Sequence, residues 1–318
     1  MINTNLICVD GLPGSGKSTT AQLLSIHLVR NGHKAEWFYE HQVSHPIYRY
    51  HNLEKAFGMS LQESKKTHER ALRNWRKLAN SLEGTRRITI LESTIFQTTA
   101  GGLLLMDLTV DEILTFVGRI RENIRKLNPV IVYFYQRNIA QALKSIRDRR
   151  GEFFETLLVS QIGRTPYGKR RKIKNFAGVI DFYQDLREIT DRLFAMLDFR
   201  KMAIETSRGR WKDYHKRITR LLSLGPIDYT SRPLDDYEDF VGRYREVKSN
   251  DEFVIATDGK FLYLDDPSKT RLIHKANNTF WVQGMCIEFS FKKSRNGAIR
   301  EIRCSGDLPD LGKLWVKV

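Results

Sequence analysis

The sequence predicts a two-part chain: a three-layer α/β domain with a parallel sheet and helices on both faces, then a small antiparallel β domain of barrel type. Three observations carry this prediction. Strand-like and helix-like segments alternate from Leu6 to Leu224. A glycine-rich stretch, Gly11–Ser18, joins the first strand to the first helix. Helical periodicity then stops at Leu224-Gly225-Pro226, and short strand-like runs fill the rest of the chain.

Leu6–Val9 is a short β-type run, and Ser18–Val29 follows with Ala21, Leu24 and Leu28 near helical spacing before Asn31-Gly32 ends it. Ala35–Tyr39 reads as the second strand. Glu63–Leu82 is polar and helix-prone, with an apolar stripe of Ala71, Leu72, Trp75, Leu78 and Leu82. Ile88–Leu91 and Val130–Tyr135 are rich in β-branched residues and read as strands. Asp111–Leu127 is helical up to Asn128-Pro129, Asn138–Arg150 is helical up to Gly151, and Phe182–Leu197 aligns Leu186, Ile189, Leu193 and Leu197. Met202–Glu205 is a last strand and Trp211–Leu224 a last helix. Beyond them come Phe253–Ala256, Phe261–Leu264, Arg271–His274, Thr279–Val282, Cys286–Phe291, Ile299–Cys304 and Leu314–Val318, separated by turns such as Asp258-Gly259 and Asn296-Gly297. The expected organisation is a domain over 1–224, a linker over 225–239 centred on Tyr229–Asp239, and a β domain over 240–318.

A chain of 318 residues with 41% apolar composition suits two globular domains. No apolar run approaches the length of a membrane span. The first residues lack the basic-then-apolar pattern of a secretory signal, and Cys8, Cys286 and Cys304 show no pairing or zinc spacing, so a reducing cytoplasm is expected. The chain carries 53 basic and 37 acidic residues, of which 15 and 15 fall in 225–318. That leaves 38 basic against 22 acidic on the N-terminal part, which therefore holds the whole net charge of +16. Such asymmetry favours an anionic partner there: a nucleotide, a phosphorylated metabolite or a nucleic acid.

Gly11-Leu12-Pro13-Gly14-Ser15-Gly16-Lys17-Ser18 matches G-x-x-x-x-G-K-[ST] at every fixed position, and Thr19 continues it into the helix. Backbone N–H groups of such a loop wrap a phosphate, and the following helix aims its N-terminus at the same group. Lys17 is expected at the β- and γ-phosphates and Ser18 on Mg²⁺, with ATP as the nucleotide. The motif sits between a strand and a helix, as a three-layer P-loop NTPase fold requires.

Glu40 follows the second strand, where a carboxylate can take a proton from an acceptor hydroxyl; an ordinary exposed Glu is the plainer alternative. Glu92 holds the same position on the third strand and is the best metal-side acid, because no strand shows a conventional apolar run followed by Asp. Arg147, Arg149 and Arg150 close a helix, and Arg147 or Arg150 is expected to neutralise charge on the transferring group, beyond what helix capping needs. The run Arg164–Lys174 is the densest basic stretch, able to meet nucleic-acid phosphates with Tyr167 free for stacking, or simply a solvated loop. His41 and His45 do not suggest a metal site.

On Gly11–Thr19, Phe38-Tyr39-Glu40, Leu91-Glu92-Ser93-Thr94, the Arg147–Arg150 cluster and Ile204-Glu205-Thr206-Ser207, residues 5–224 resemble the deoxynucleoside kinase and thymidylate kinase group. The resemblance implies Glu40 as base and places Ser207 and Arg208 beside the adenine. It also marks a departure: the family's Glu-Arg-Ser triplet maps to Glu92-Ser93-Thr94, so the arginine that helps hold a nucleoside is replaced by Ser93. The C-terminal part is similar to the small β domain appended to some serine hydrolases, through Phe240–Tyr244, Asp258–Leu262 and Phe289 before Asn296-Gly297, and a covering, partner-binding or homodimer role is expected of it. The leading expectation is an ATP-dependent kinase acting on a hydroxyl or phosphate of a small, nucleoside- or nucleotide-like acceptor. A kinase for nucleic-acid ends and a nucleotide-binding regulator without turnover stand beside it.

Overall fold

The computed structural model describes residues 2–48, 60–227, 237–294, 297–308 and 313–318. It divides into two compact units, one of Met1–His41 with His45–Ile227 and one of Gln42–Ser44 with Asp228–Val318. Most of the expected linker lies outside the described residues.

The first unit is built on five parallel strands, β1 (Leu6–Gly11), β2 (Lys34–Phe38), β3 (Arg87–Glu92), β4 (Val130–Tyr135) and β5 (Arg200–Glu205), in the order β2-β3-β1-β4-β5. Strand alternation sorts their side chains into two cores. Leu6, Cys8, Leu91, Ile131 and Tyr133 face one way, against helices α2 (Leu61–Leu82), α4 (Val110–Ile124) and α8 (Phe176–Met196). Ile7, Val9, Ile88, Ile90, Val132, Phe134 and Ile204 face the other, against α1 (Lys17–Arg30) and α9 (Trp211–Leu221). Burying the central strands β1, β3 and β4 on both faces is what makes their runs mostly apolar, whereas the edge strands β2 and β5 keep charged and half-exposed residues. Because β1 lies between β3 and β4, the chain leaves β1 at the point where strand order reverses. A crevice therefore opens at the carboxyl ends of the strands, and the glycine loop lies there.

Three elements here depart from the sequence reading. A π-helix, Thr94–Ala100, follows β3 directly and runs into the short helix α3 (Gly101–Leu105). After α5 (Ile139–Arg150), α6 (Glu152–Gly163) begins at once across Gly151. The basic run Arg164–Lys174 is partly helical, as α7 (Pro166–Arg171), with Thr165 accepting from the Gly168 N–H as its cap.

The second unit is a closed barrel of eight antiparallel strands. They are β6 (Gly242–Glu246), β7 (Glu252–Thr257), β8 (Leu262–Leu264), β9 (Arg271–Ala276), β10 (Thr279–Val282), β11 (Ile287–Lys293), β12 (Ile299–Gly306) and β13 (Leu314–Lys317). Each pairs with the next in sequence, and β13 pairs with β6, so no edge is left open. Phe240, Tyr244, Phe280, Phe289, Phe291 and Ile302 fill the interior. Among the described residues no helix is long and apolar enough to cross a membrane.

Candidate active site

The loop between β1 and α1 has the backbone of an anion cradle. Gly14 and Gly16 hold φ of +68° and +86°, a region L side chains rarely adopt. A Cβ on Gly14 would meet the Ile146 side chain at 2.7 Å, and one on Gly16 would meet the Trp211 ring at 2.3 Å. Glycine is therefore required at both positions twice over, by conformation and by space. Pro13 precedes Gly14 in the bend, and Ser15 and Lys17 are buried. The Ser15 amide donates to the Leu12 carbonyl at 3.2 Å, and Lys17 Nζ folds back to donate to the same carbonyl at 3.3 Å. Thr19 follows in the first turn of α1, and Thr20 Oγ1 lies 3.1 Å from His215 Nε2 of α9.

Two expected partners are brought together. Ser18 Oγ donates to Glu92 Oε1 at 2.7 Å across 74 residues of sequence, and Ser93 Oγ donates to the same oxygen at 3.0 Å. The other oxygen, Glu92 Oε2, is buried without a partner. Burial and the nearby Glu40 charge raise the Glu92 carboxyl to about 7, against the opposing pull of Lys17. A buried carboxylate with one free oxygen beside a phosphate-loop hydroxyl fits a hard divalent cation that keeps most of its remaining ligands as water and phosphate. Among the described residues no cluster of three acidic, His or Cys side chains forms a cage.

Glu40 lies just beyond β2, and both its oxygens are engaged: Oε2 accepts from Gln97 Nε2 at 2.8 Å, and Oε1 lies 3.2 Å from His41 Nε2. Burial acts to raise its carboxyl, but the His41 hydrogen bond and the Lys17 charge outweigh it and hold the group down at about 2. Glu40, His41 and Gln97 line a cavity of about 160 Å³, whose walls also include His68, Phe182 and Tyr183. His68 Nδ1 sits 2.8 Å from the Ser64 carbonyl, so that nitrogen carries the proton and Nε2 is left as an acceptor.

Of the arginines, Arg147 is paired with Asp148 at 3.0 Å and Glu155 at 3.6 Å and lies 5.3 Å over Phe176. Arg150 stacks 5.1 Å over Phe154, and its charge acts on Tyr183 in the cavity wall. Arg149 approaches the glycine loop, with its guanidinium 3.6 Å from where a Gly14 Cβ would stand. Ser207 and Arg208 follow β5, and Ser207 Oγ donates back to Glu205 at 2.9 Å.

Sequence reasoning missed three groups and misread two. Gln97 and His41 join Glu40, and the one available signal was His41 standing next to it in sequence. Trp211 covers Gly16, a contact that 195 residues of separation conceal. Asp10 does end an apolar strand, contrary to expectation. Its carboxylate is spent on backbone, accepting from the N–H of Ile95 (2.8 Å), Phe96 (2.7 Å), Gln97 (3.0 Å) and Gly11 (3.0 Å), which leaves Glu92 as the acid beside Ser18. Tyr167 is not free to stack on a base: it is fully buried, and its hydroxyl donates to Asp185 at 2.8 Å. Two cations of its helix are paired as well, Arg170 with Asp107 and Arg171 with Asp185, both at 2.6 Å.

The strand order, the loop after β1 and the acids that follow β2 and end β3 define the class: an α/β protein with a P-loop kinase-like fold. No family model matches the chain, and no curated protein matches it. Among solved structures it is similar to thymidylate kinase from Candida albicans, at 16% identity and TM-score 0.39, over 69% of this chain and 92% of that one. It is also similar to deoxyadenosine kinase from M. mycoides with bound dATP, at 11% identity and TM-score 0.38, over 67% and 98%. A sugar kinase from a Janibacter species follows at 14% identity and TM-score 0.31, over 70% and 96%.

Proposed function

We propose that the chain is an ATP-dependent kinase that transfers the γ-phosphoryl group to a hydroxyl of a small molecule held in the cavity beside Glu40. The observation that carries this is the bond from Ser18 Oγ to Glu92, with Glu92 Oε2 left buried and unpartnered. A P-loop without that acid would hold phosphates; with it, the loop is also furnished for a metal-bound triphosphate.

In this reading the loop amides of Gly14–Thr19 and Lys17 bind the β- and γ-phosphates. Lys17 leaves the Leu12 carbonyl to do so, which costs little because that bond is long. Ser18 and Glu92 would hold Mg²⁺, which supplies neutralising charge at the phosphates. Arg149, Arg150 and Arg147 on α5 supply further positive charge, Arg149 from beside Gly14. The Glu40 end of the cavity receives the acceptor hydroxyl, so the oxygen is held in line with the γ-phosphorus while apolar walls exclude water. ATP and Mg²⁺ are thus the proposed co-substrate and cofactor, and the +16 charge on residues 1–224 suits the anionic ligand.

The test is ADP production by the purified chain with Mg²⁺, screened over nucleosides, nucleoside monophosphates, sugars, aminoglycosides and 5′-hydroxyl oligonucleotides, with Lys17→Ala as control. Acceptor-dependent turnover that Lys17→Ala abolishes is the expected result. Turnover confined to oligonucleotides would move the acceptor to a nucleic-acid end, and ATP binding without turnover would make the chain a nucleotide-binding regulator.

A further inference from the structure

The carboxylate at the acceptor end of the cavity is not placed as a lone base. Glu40 Oε2 accepts from Gln97 Nε2 at 2.8 Å and Oε1 faces His41 Nε2 at 3.2 Å, so each oxygen already has a partner. His41 is the reverse case. A ring nitrogen 3.2 Å from a carboxylate carries its proton, and in the neutral imidazole that leaves the lone pair on Nδ1. His41 Nδ1 is buried without a hydrogen-bond partner, on a side chain that lines the cavity. The Tyr39 ring stands edge-on to the imidazole at 5.6 Å and limits its rotation. A carboxylate, an imidazole and a buried, unpartnered ring nitrogen on a side chain that lines a cavity form the array in which a histidine is a base and an acid is its orienter.

We propose that His41, through Nδ1, takes the proton of the acceptor hydroxyl, and that Glu40 is the positioning carboxylate that fixes the ring and its tautomer. This rests on the kinase reading above. In the step, the acceptor O–H bond breaks with its proton going to Nδ1. The oxygen forms a bond to the γ-phosphorus as the bond from that phosphorus to the β,γ-bridging oxygen breaks, and ADP leaves with that electron pair. The imidazolium formed sits against the Glu40 carboxylate and returns its proton to solvent after product leaves.

The charges around the ring suit the role. Burial acts to lower the His41 pKa, but the Glu40 hydrogen bond and charge, aided by Glu92, outweigh burial and the opposing Lys17 charge, so it is raised from its ordinary value. The neighbouring His45 is lowered to about 4 by burial and stays neutral. Glu40, held at about 2, is a feeble proton acceptor at neutral pH, whereas an imidazole raised from its ordinary value is matched to it.

The experiment uses the full chain and the best acceptor from the screen. His41→Ala is expected to lower kcat by about 100-fold or more while ATP binding is unchanged, and added imidazole to restore at least tenfold of that loss. Glu40→Gln is expected to lower kcat as well, with no rescue by imidazole. Activity of His41→Ala within about threefold of the unaltered chain would overturn the inference, as would a loss that imidazole leaves untouched. Both leave the kinase reading standing, which fails only if the unaltered chain shows no acceptor-dependent turnover; that outcome would remove the inference too.

Discussion

Glu92 illustrates how one residue can be costly to the fold and, in the proposed reading, necessary to the site. Its folded pKa of about 7 lies above the ordinary 4.5, so the folded state binds the proton more tightly than the unfolded chain. Its contribution to stability is therefore fully present below pH 4.5 and is lost as pH rises through 7. Glu92→Gln keeps the shape and an oxygen for Ser18 while removing the charge. Without nucleotide or metal, the variant is expected to be more stable than the unaltered chain at pH 8, by about 2 to 3 kcal/mol, with the difference vanishing toward pH 4.5. Urea midpoints at the two pH values measure this. In the same variant Mg²⁺-dependent turnover is expected to fall by about 100-fold or more. A variant that gained no stability at pH 8 would contradict the account of a buried, poorly compensated carboxylate. The sequence made Glu92 and Ser18 visible because each sits at a fixed offset from a strand end. It hid their neighbours Gln97 and His41, whose roles depend on where a π-helix and a turn aim them.

At the scale of elements, that π-helix is held from outside itself. Its first amides have no capping side chain of their own, and Ser93 before it has φ of +57°. Asp10, at the far end of β1, accepts from the N–H of Ile95, Phe96 and Gln97 and from Gly11. The glycine loop after β1 and the cavity wall at Gln97 are thus tied to one carboxylate. Asp10→Ala would orphan four amides, three of them buried, and is expected to cost at least about 3 kcal/mol, read as a lower urea midpoint. The variant should also lose ATP binding, because the loop and the Gln97 wall would shift together. Unchanged stability would show that the amides find other partners. Elements that carry their own signals were legible in the sequence. The stripe of α2, with Trp75 and Leu82 fully buried, and the β-branched run of β4 are examples. The π-helix was not, since its stabilising partner lies 85 residues earlier in the chain. Nor was β6, whose Arg243-Tyr244-Arg245-Glu246 reads as charged and polar, although Tyr244 points into the barrel and is fully buried.

For the whole molecule, the division of charge and the division of cores coincide. The barrel core draws on residues from Tyr237 onward, and the two cores flanking the parallel sheet draw on residues up to Ile227. Separate cores make separate folding units. Calorimetry of the full chain is expected to resolve two transitions. A chain ending at Ile227 should retain the transition that ATP raises, and a single transition lost on truncation would contradict this. The fold class was readable from the alternation of elements and from one motif, because both are local in sequence. The proposed acceptor was not, because the cavity wall is assembled from the turn after β2, α2, the π-helix, α3, α6 and α8, and pocket shape decides what it holds. The most direct test of the central claim is therefore a transfer measurement: incubation with ATP labelled at the γ-phosphate, Mg²⁺ and the acceptor panel, followed by identification of the labelled product. The account predicts label on an acceptor hydroxyl, dependent on Lys17 and Glu92. Label recovered only as inorganic phosphate, or remaining wholly on ATP, would contradict it.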